Sequence, residues 1–193
     1  MPTRPTNPNR KLAQAIGVFA LVCVCACNGG ERKVAMDTAV AQQFRPLSVG
    51  DTVPSYSVKD LAGATIAIQR GEPVTLVNVW ATWCTSCREE MSSLNALRAE
   101  FAAKDVRIVG ISVDESSTER VRRFAEESHI AFTVAHDQDG LIQQRYRIAG
   151  VPSTFLIGGD GRVLWQHTGD IESEMTSLRS AMRQAAATAV NTP

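Results

Sequence analysis

The feature that most restricts this 193-residue chain is a pair of cysteines, Trp83-Cys84-Thr85-Ser86-Cys87, set where one hydrophobic pattern gives way to another. Upstream, residues 74–81 (VTLVNVWA) form a nearly continuous apolar run rich in β-branched side chains. That is the pattern of a strand covered on both faces. Downstream, Glu90, Leu94, Leu97 and Phe101 fall at i, i+4, i+7 and i+11, with Met91 beside them, the stripe of an amphipathic helix. A strand-to-helix junction puts Cys84 at the helix N-terminus, where unpaired amides and the helix dipole favour a thiolate. Cys87 lies three residues on, on nearly the same face. The first sulfur can attack a foreign disulfide and the second can resolve the mixed disulfide, with the attacking thiol's pKa lowered into the range of about 3.5 to 7.5 found at CxxC sites.

Two plainer readings compete with this. Half of a zinc site needs two further ligands, but the remaining cysteines (Cys23, Cys25, Cys27) sit in the targeting segment described below. His129, His136 and His167 show no ligand spacing to one another, and they take no role in this reading. A purely structural staple closing so small a loop is worth only about 2 kcal/mol. Such a tether does not explain a CxxC at a helix start.

The rest of the chain alternates strand and helix signals. Residues 53–58 and 64–68 flank a turn-rich Asp60-Leu61-Ala62-Gly63 and predict a small hairpin. Residues 105–113 predict a second buried strand. Ser116-Ser117-Thr118-Glu119 has the S-x-x-E form of a capping box for a helix carrying Val121, Phe124 and Ala125 on one face. Residues 130–135 predict a short strand, 141–146 a short helix, and 153–157 with 162–167 an antiparallel hairpin around Gly158-Gly159-Asp160-Gly161. Ile171, Met175, Leu178 and Met182 mark a closing helix whose alanine-rich end is expected to fray from Ala185. The sum is an α/β sandwich with a mixed sheet.

The N-terminus stands apart. Arg4, Arg10 and Lys11 precede an apolar run, residues 12–26, too short for the roughly 20 residues that span a bilayer. Its end, Val24-Cys25-Ala26-Cys27-Asn28, resembles a bacterial lipobox, so residues 1–26 read as a lipoprotein signal and Cys27 as the lipid-bearing residue. An uncleaved signal anchor is the alternative; either places the remainder outside the cytoplasm, where disulfides persist. Residues 27–45 suit a flexible tether, 46–187 the folded domain and 188–193 a frayed tail. Lys+Arg and Asp+Glu are 20 each, and losing the signal removes three basic and no acidic residues, leaving 17 against 20. No basic face for nucleic acid follows from that balance.

Val49-Gly50-Asp51-Thr52-Val53-Pro54, Val77-Asn78-Val79-Trp80-Ala81-Thr82-Trp83-Cys84-Thr85-Ser86-Cys87-Arg88 and Gly150-Val151-Pro152-Ser153-Thr154-Phe155 together resemble the TlpA/ResA-like membrane-anchored thiol-disulfide oxidoreductases of the thioredoxin superfamily, with their AhpC/TSA-like domain. The resemblance implies a three-layer thioredoxin-like sandwich, a mixed sheet with helices on both faces, an N-terminal hairpin and an inserted strand and helix. It implies no cofactor. It also implies a cis Pro152 facing the cysteines, with Val151 receiving an extended substrate segment, and a reducing role fed by a membrane thiol donor, often in cytochrome c maturation. Two departures stand out: Ser92 replaces a proline, which predicts a softened or absent kink, and Thr85-Ser86 is an unusual interior pair. A peroxiredoxin-like peroxidase would want proline and threonine where Val77 and Ala81 stand, and a copper-delivery protein would want CxxxC plus a histidine.

Cys87 needs a base to lose its proton. Asn78 occupies the place of the buried acid of thioredoxins, so Glu90 is the expected substitute, partly buried on the helix stripe and matching the family's C-R-x-E pattern. An acid that merely complements the helix dipole is the competing reading. Trp83 is expected to face substrate and Trp80 to lie in the core. Arg88, Arg122, Arg123 and Glu126 read as solvated helix faces.

Overall fold

The computed structural model describes residues 45–104 and 106–190. The signal, Cys27 and nearly all of the expected tether lie outside the described residues, as do residues 191–193. In chain order the elements are β1 (Tyr56–Lys59), β2 (Thr65–Ile68), β3 (Val74–Trp80), α1 (Thr85–Glu89), α2 (Met91–Phe101), β4 (Val106–Ser112), α3 (Thr118–Glu127), β5 (Thr133–His136), α4 (Leu141–Tyr146), β6 (Ser153–Ile157), β7 (Val163–Thr168) and α5 (Met175–Val190).

The apolar run around the CxxC motif's leading strand becomes the middle of the sheet. Every residue of β3 is buried. It pairs in parallel with β4 and antiparallel with β6, and the five-stranded order is β5-β4-β3-β6-β7. Helices flank this mixed sheet, giving the thioredoxin-like α/β fold that the sequence predicts. Side-chain alternation divides the two faces. On one, Trp80 lies 5.0 Å from the Phe124 ring of α3, and Asn78 reaches the α1–α2 junction. On the other, Phe155, in register with Val77, meets Tyr146 of α4, which in turn meets Tyr56 of β1. Gly110, paired with Asn78, makes the first face possible: a Cβ there would stand 2.7 Å from the Phe132 ring and 3.0 Å from Trp80 Nε1.

The hairpin β1–β2 forms its own two-stranded sheet and leans on the exposed edge of β5 through an Asp60–Ala135 bridge and the Leu61 N–H bond to Val134 O. A covered edge strand cannot template intermolecular pairing.

Several boundaries differ from the sequence reading for identifiable reasons. β1 begins at Tyr56 rather than residue 53, because Thr52 and Val53 are drawn to the β6–β7 turn, bridging Arg162 and bonding Gly161 O. β5 begins at Thr133 rather than residue 130, because His129 and Ile130 donate back to Glu126 and Ala125 and wrap the end of α3. The capping box does not form. The N-cap of α3 is Ser117, without a side-chain cap bond, while Ser116 Oγ is buried without a partner among the described residues and Glu119 pairs with Arg122. Nor are all the arginines simply solvated: Arg88 lies over the Phe124 ring at 5.3 Å, and Arg122 donates to Leu61 O. Finally, α5 continues to Val190, with Ala185 and Ala186 buried, so helical order persists past Ala185 and through residues 188–190 of the expected tail.

Candidate active site

At the C-terminal end of β3 the chain turns through Ala81–Trp83 into α1, and Cys84 is its N-cap, with extended φ −87° and ψ 113°. The turn is anchored from the neighbouring strand. Asp114, almost wholly buried just past β4, accepts hydrogen bonds from Thr82 N–H (2.9 Å), Thr82 Oγ1 (2.6 Å) and Ser112 Oγ (2.6 Å). Its own carbonyl faces His136 Nε2 at 2.8 Å, and His136 Nδ1 faces Thr118 Oγ1 at 2.9 Å. Sequence reasoning gave Asp114 and His136 no part; a single acid after a buried strand carries no local signature, because its partners come from a different strand.

Cys84 and Cys87 are joined as a disulfide, with Cα atoms 5.3 Å apart. Cys84 is 6% exposed and Cys87 fully buried, so an incoming partner can reach the first sulfur and not the second. Cys84 Sγ accepts a hydrogen bond from Cys87 N–H at 3.2 Å and lies 3.6 Å from Ser86 Oγ. Both groups would stabilise a thiolate at Cys84 once the disulfide opens. Trp83, at 71% exposure, stands beside them as a bare aromatic surface, whereas Trp80 is fully buried.

The Val151–Pro152 bond is cis. The β3–β6 register pairs Ser153 with Val79, which sets Pro152 alongside the end of β3 from which the loop to Cys84 departs. Pro152 O is held by Gly169 N–H at 2.9 Å. Among the described residues nothing engages the N–H or C=O of Val151, which leaves a backbone donor and acceptor unpaired beside the cis proline.

Glu90 is fully buried, beyond the partial burial expected for it. The helical hydrogen bonds run on through it, Glu90 N–H to Ser86 O and Leu94 N–H to Glu90 O, but with ψ at −8° it interrupts the regular helix between α1 and α2. An irregularity is thus retained two residues before Ser92, without a proline. It falls at the residue whose side chain enters the core. There Oε1 accepts 2.7 Å from Asn78 Nδ2, and Oε2 accepts 3.3 Å from Ile171 N–H. Burial pushes the carboxyl up to about 7; the two donors oppose that rise, and Asp170 and Glu172 add to it. Asn78 Nδ2 also donates to Thr154 Oγ1 at 3.0 Å. Asn78, expected only to mark a missing acid, instead holds the Glu90 carboxylate, a contact between residues on different elements that leaves no local sequence signal.

No cluster of three or more metal-ligating side chains occurs among the described residues. The arrangement is a redox-active cysteine pair on a thioredoxin fold, the class of thiol-disulfide oxidoreductases. The chain belongs to the AhpC/TSA family, whose match covers residues 49–166. It is 33% identical over 130 residues to Thiol-disulfide oxidoreductase ResA of Bacillus thuringiensis subsp. konkukian, covering 66% of this chain and 74% of that protein. It is also 33% identical over 132 residues to Thiol:disulfide interchange protein DsbE of Yersinia pestis, covering 66% and 68%. A crystal structure from Chlorobium tepidum, provisionally assigned as a DsbE, superposes with a TM-score of 0.67 at 28% identity, over 72% of this chain and 99% of that one.

Proposed function

We propose that this protein is an extracytoplasmic, lipid-anchored thiol-disulfide oxidoreductase that reduces disulfides of protein substrates. The observation that carries the chemistry is the asymmetry of the pair, an accessible Cys84 at a helix N-cap and a buried Cys87 one turn on. In the reduced enzyme the Cys84 thiolate attacks a substrate disulfide, forming a Cys84–substrate disulfide and releasing one substrate thiolate. Cys87 then gives its proton to Glu90 and attacks Cys84 Sγ. The Cys84–Cys87 disulfide forms, the second substrate sulfur leaves, and two electrons have passed to substrate. A membrane thiol donor restores the dithiol. Extended substrate is received on the free backbone of Val151 beside Pro152, against the exposed ring of Trp83. Glu90 as base is supported by its burial, which raises its proton affinity to the range useful near neutral pH.

The anchor rests on the lipobox-like residues ending at Cys27. Among the described residues no helix is long and apolar enough to cross a membrane. Two experiments test the reading. Dithiol-dependent reduction of a protein disulfide by the purified domain is expected, and its persistence in Cys84→Ser would remove the enzymatic assignment. Mass spectrometry of the membrane-extracted protein is expected to find a lipidated Cys27 as first residue; an intact segment 1–26 would replace lipidation with a signal anchor.

A further inference from the structure

The polar atoms around Glu90 are arranged unequally. Asn78 spends both amide hydrogens, one on Glu90 Oε1 and one on Thr154 Oγ1, while its own Oδ1 is buried with no partner among the described residues. A buried acceptor left unpaired is costly, and native interiors seldom tolerate one without a reason. Here the reason is legible: turned over, the amide would present its oxygen to a carboxylate oxygen and lose the donor. Thr154 Oγ1 takes the second amide hydrogen and anchors the side chain, while the acceptor-only carboxylate decides which way round the amide lies. The other carboxylate oxygen faces Ile171 N–H, a backbone donor that cannot be exchanged.

We propose that Asn78 is a positioning residue for the reaction, with Thr154 as its anchoring partner: it keeps a hydrogen-bond donor on Glu90 and so holds that buried carboxylate ready to take the Cys87 proton. The proposal rests on the assignment of Glu90 as the base. The remaining charged groups that face Glu90 are Asp170 and Glu172, from the segment between β7 and α5, and both act against ionisation; Cys87 lies one turn back on α1. Asn78 therefore works against burial and two acids together, the reverse of the role of a buried acid at this position.

The test is the pH dependence of mixed-disulfide resolution, started from a Cys84 adduct with a small aromatic thiol, in wild type, Asn78→Leu and Thr154→Val. Removing a donor from the ionised form raises a carboxyl pKa, so the profile of Asn78→Leu is expected to move up by about one pH unit and its rate at pH 7 to fall several-fold to about tenfold. Thr154→Val is expected to move the same way by less. A merely structural role would lower stability and leave the midpoint where it is. Should Asn78→Leu not fold, the wild-type protein suffices: the Asn78 side-chain amide signals in ¹⁵N NMR are expected to shift with the same midpoint as the Glu90 carboxyl carbon. Invariant amide signals across that titration, or unchanged midpoints in both folded variants, would overturn the proposal while leaving Glu90 as base. If Glu90→Gln itself resolves at the wild-type rate, the base assignment falls, and the positioning role with it.

Discussion

Asn78 and Glu90, twelve residues apart and both excluded from solvent, are joined by a 2.7 Å hydrogen bond between the middle strand and the junction of the first two helices. One comes from the strand that ends at the active-site loop, the other from the helix that begins with the reactive cysteine. The bond therefore ties together the two elements whose mutual placement defines the site. The same strand neighbours Ser153 through Val79, so Pro152, Cys84 and Glu90 are all fixed by reference to β3. Rigid elements holding reactive groups are what convert a common sequence motif into a working geometry.

Glu90 makes stability depend on pH. Its folded pKa of about 7 lies above the ordinary 4.5, so between those values the unfolded chain has released a proton that the folded one still holds. Stability accordingly falls as pH rises through this window, and the penalty is complete above about 7. Between pH 4 and pH 8 the stability of wild type relative to Glu90→Gln is expected to drop by about 3 kcal/mol. Urea denaturation at the two pH values checks this; a difference that does not change with pH would mean an ordinary carboxyl pKa at this position.

Cys87→Ser keeps the accessible sulfur and removes the resolving one. It is expected to accumulate a covalent Cys84–substrate disulfide that persists until external thiol is added, visible as a mass adduct on non-reducing gels. Cys84→Ser is expected to form none, since Cys87 is fully buried. An adduct on Cys87 in that variant would reverse the assignment of attacking and resolving sulfurs.

Gly110→Ala is expected to destabilise the fold. The new methyl would lie 2.7 Å from the Phe132 ring and 3.0 Å from Trp80 Nε1, two rigid rings in a packed layer. Overpacking of this kind costs about 1 to 3 kcal/mol. Thermal denaturation is the check. A melting temperature equal to wild type would show that Phe132, near the edge strand, yields freely.

Asp114 accepts three hydrogen bonds, two of them from Thr82 in the loop that delivers Cys84. Asp114→Ala leaves those donors buried and unpaired and is expected to cost about 2 to 4 kcal/mol, with faster alkylation of Cys84 in the reduced protein as the loop loosens. Asp114→Asn, which keeps an acceptor, is expected to recover part of both effects. Equal alkylation rates in wild type and Asp114→Ala would show that the loop is held by packing alone.

What the sequence determined by itself is local in character. The β-branched run of β3, the stripe on α2 and the spacing of Cys84 and Cys87 follow from periodicities that a few neighbouring residues express, and the chain folds accordingly. The alternation of strand and helix signals was enough to predict the layered α/β class, and the inward side of the Glu90 helix was legible from Leu94, Leu97 and Phe101. Only the tertiary structure decided where the ends of β1 and β5 fall, since their residues are claimed by the β6–β7 turn and by the end of α3. It also decided the fate of Ser116, whose capping geometry lost to a helix that starts one residue later. Above all it decided the surroundings of Glu90. Asn78 and Ile171 reach that carboxylate from 12 and 81 residues away, Thr154 meets Asn78 across 76, and His136 and Thr82 meet at Asp114 across separate strands. A hydrogen bond between residues so distant in sequence leaves no periodic trace, because its geometry exists only after the sheet has brought its strands side by side.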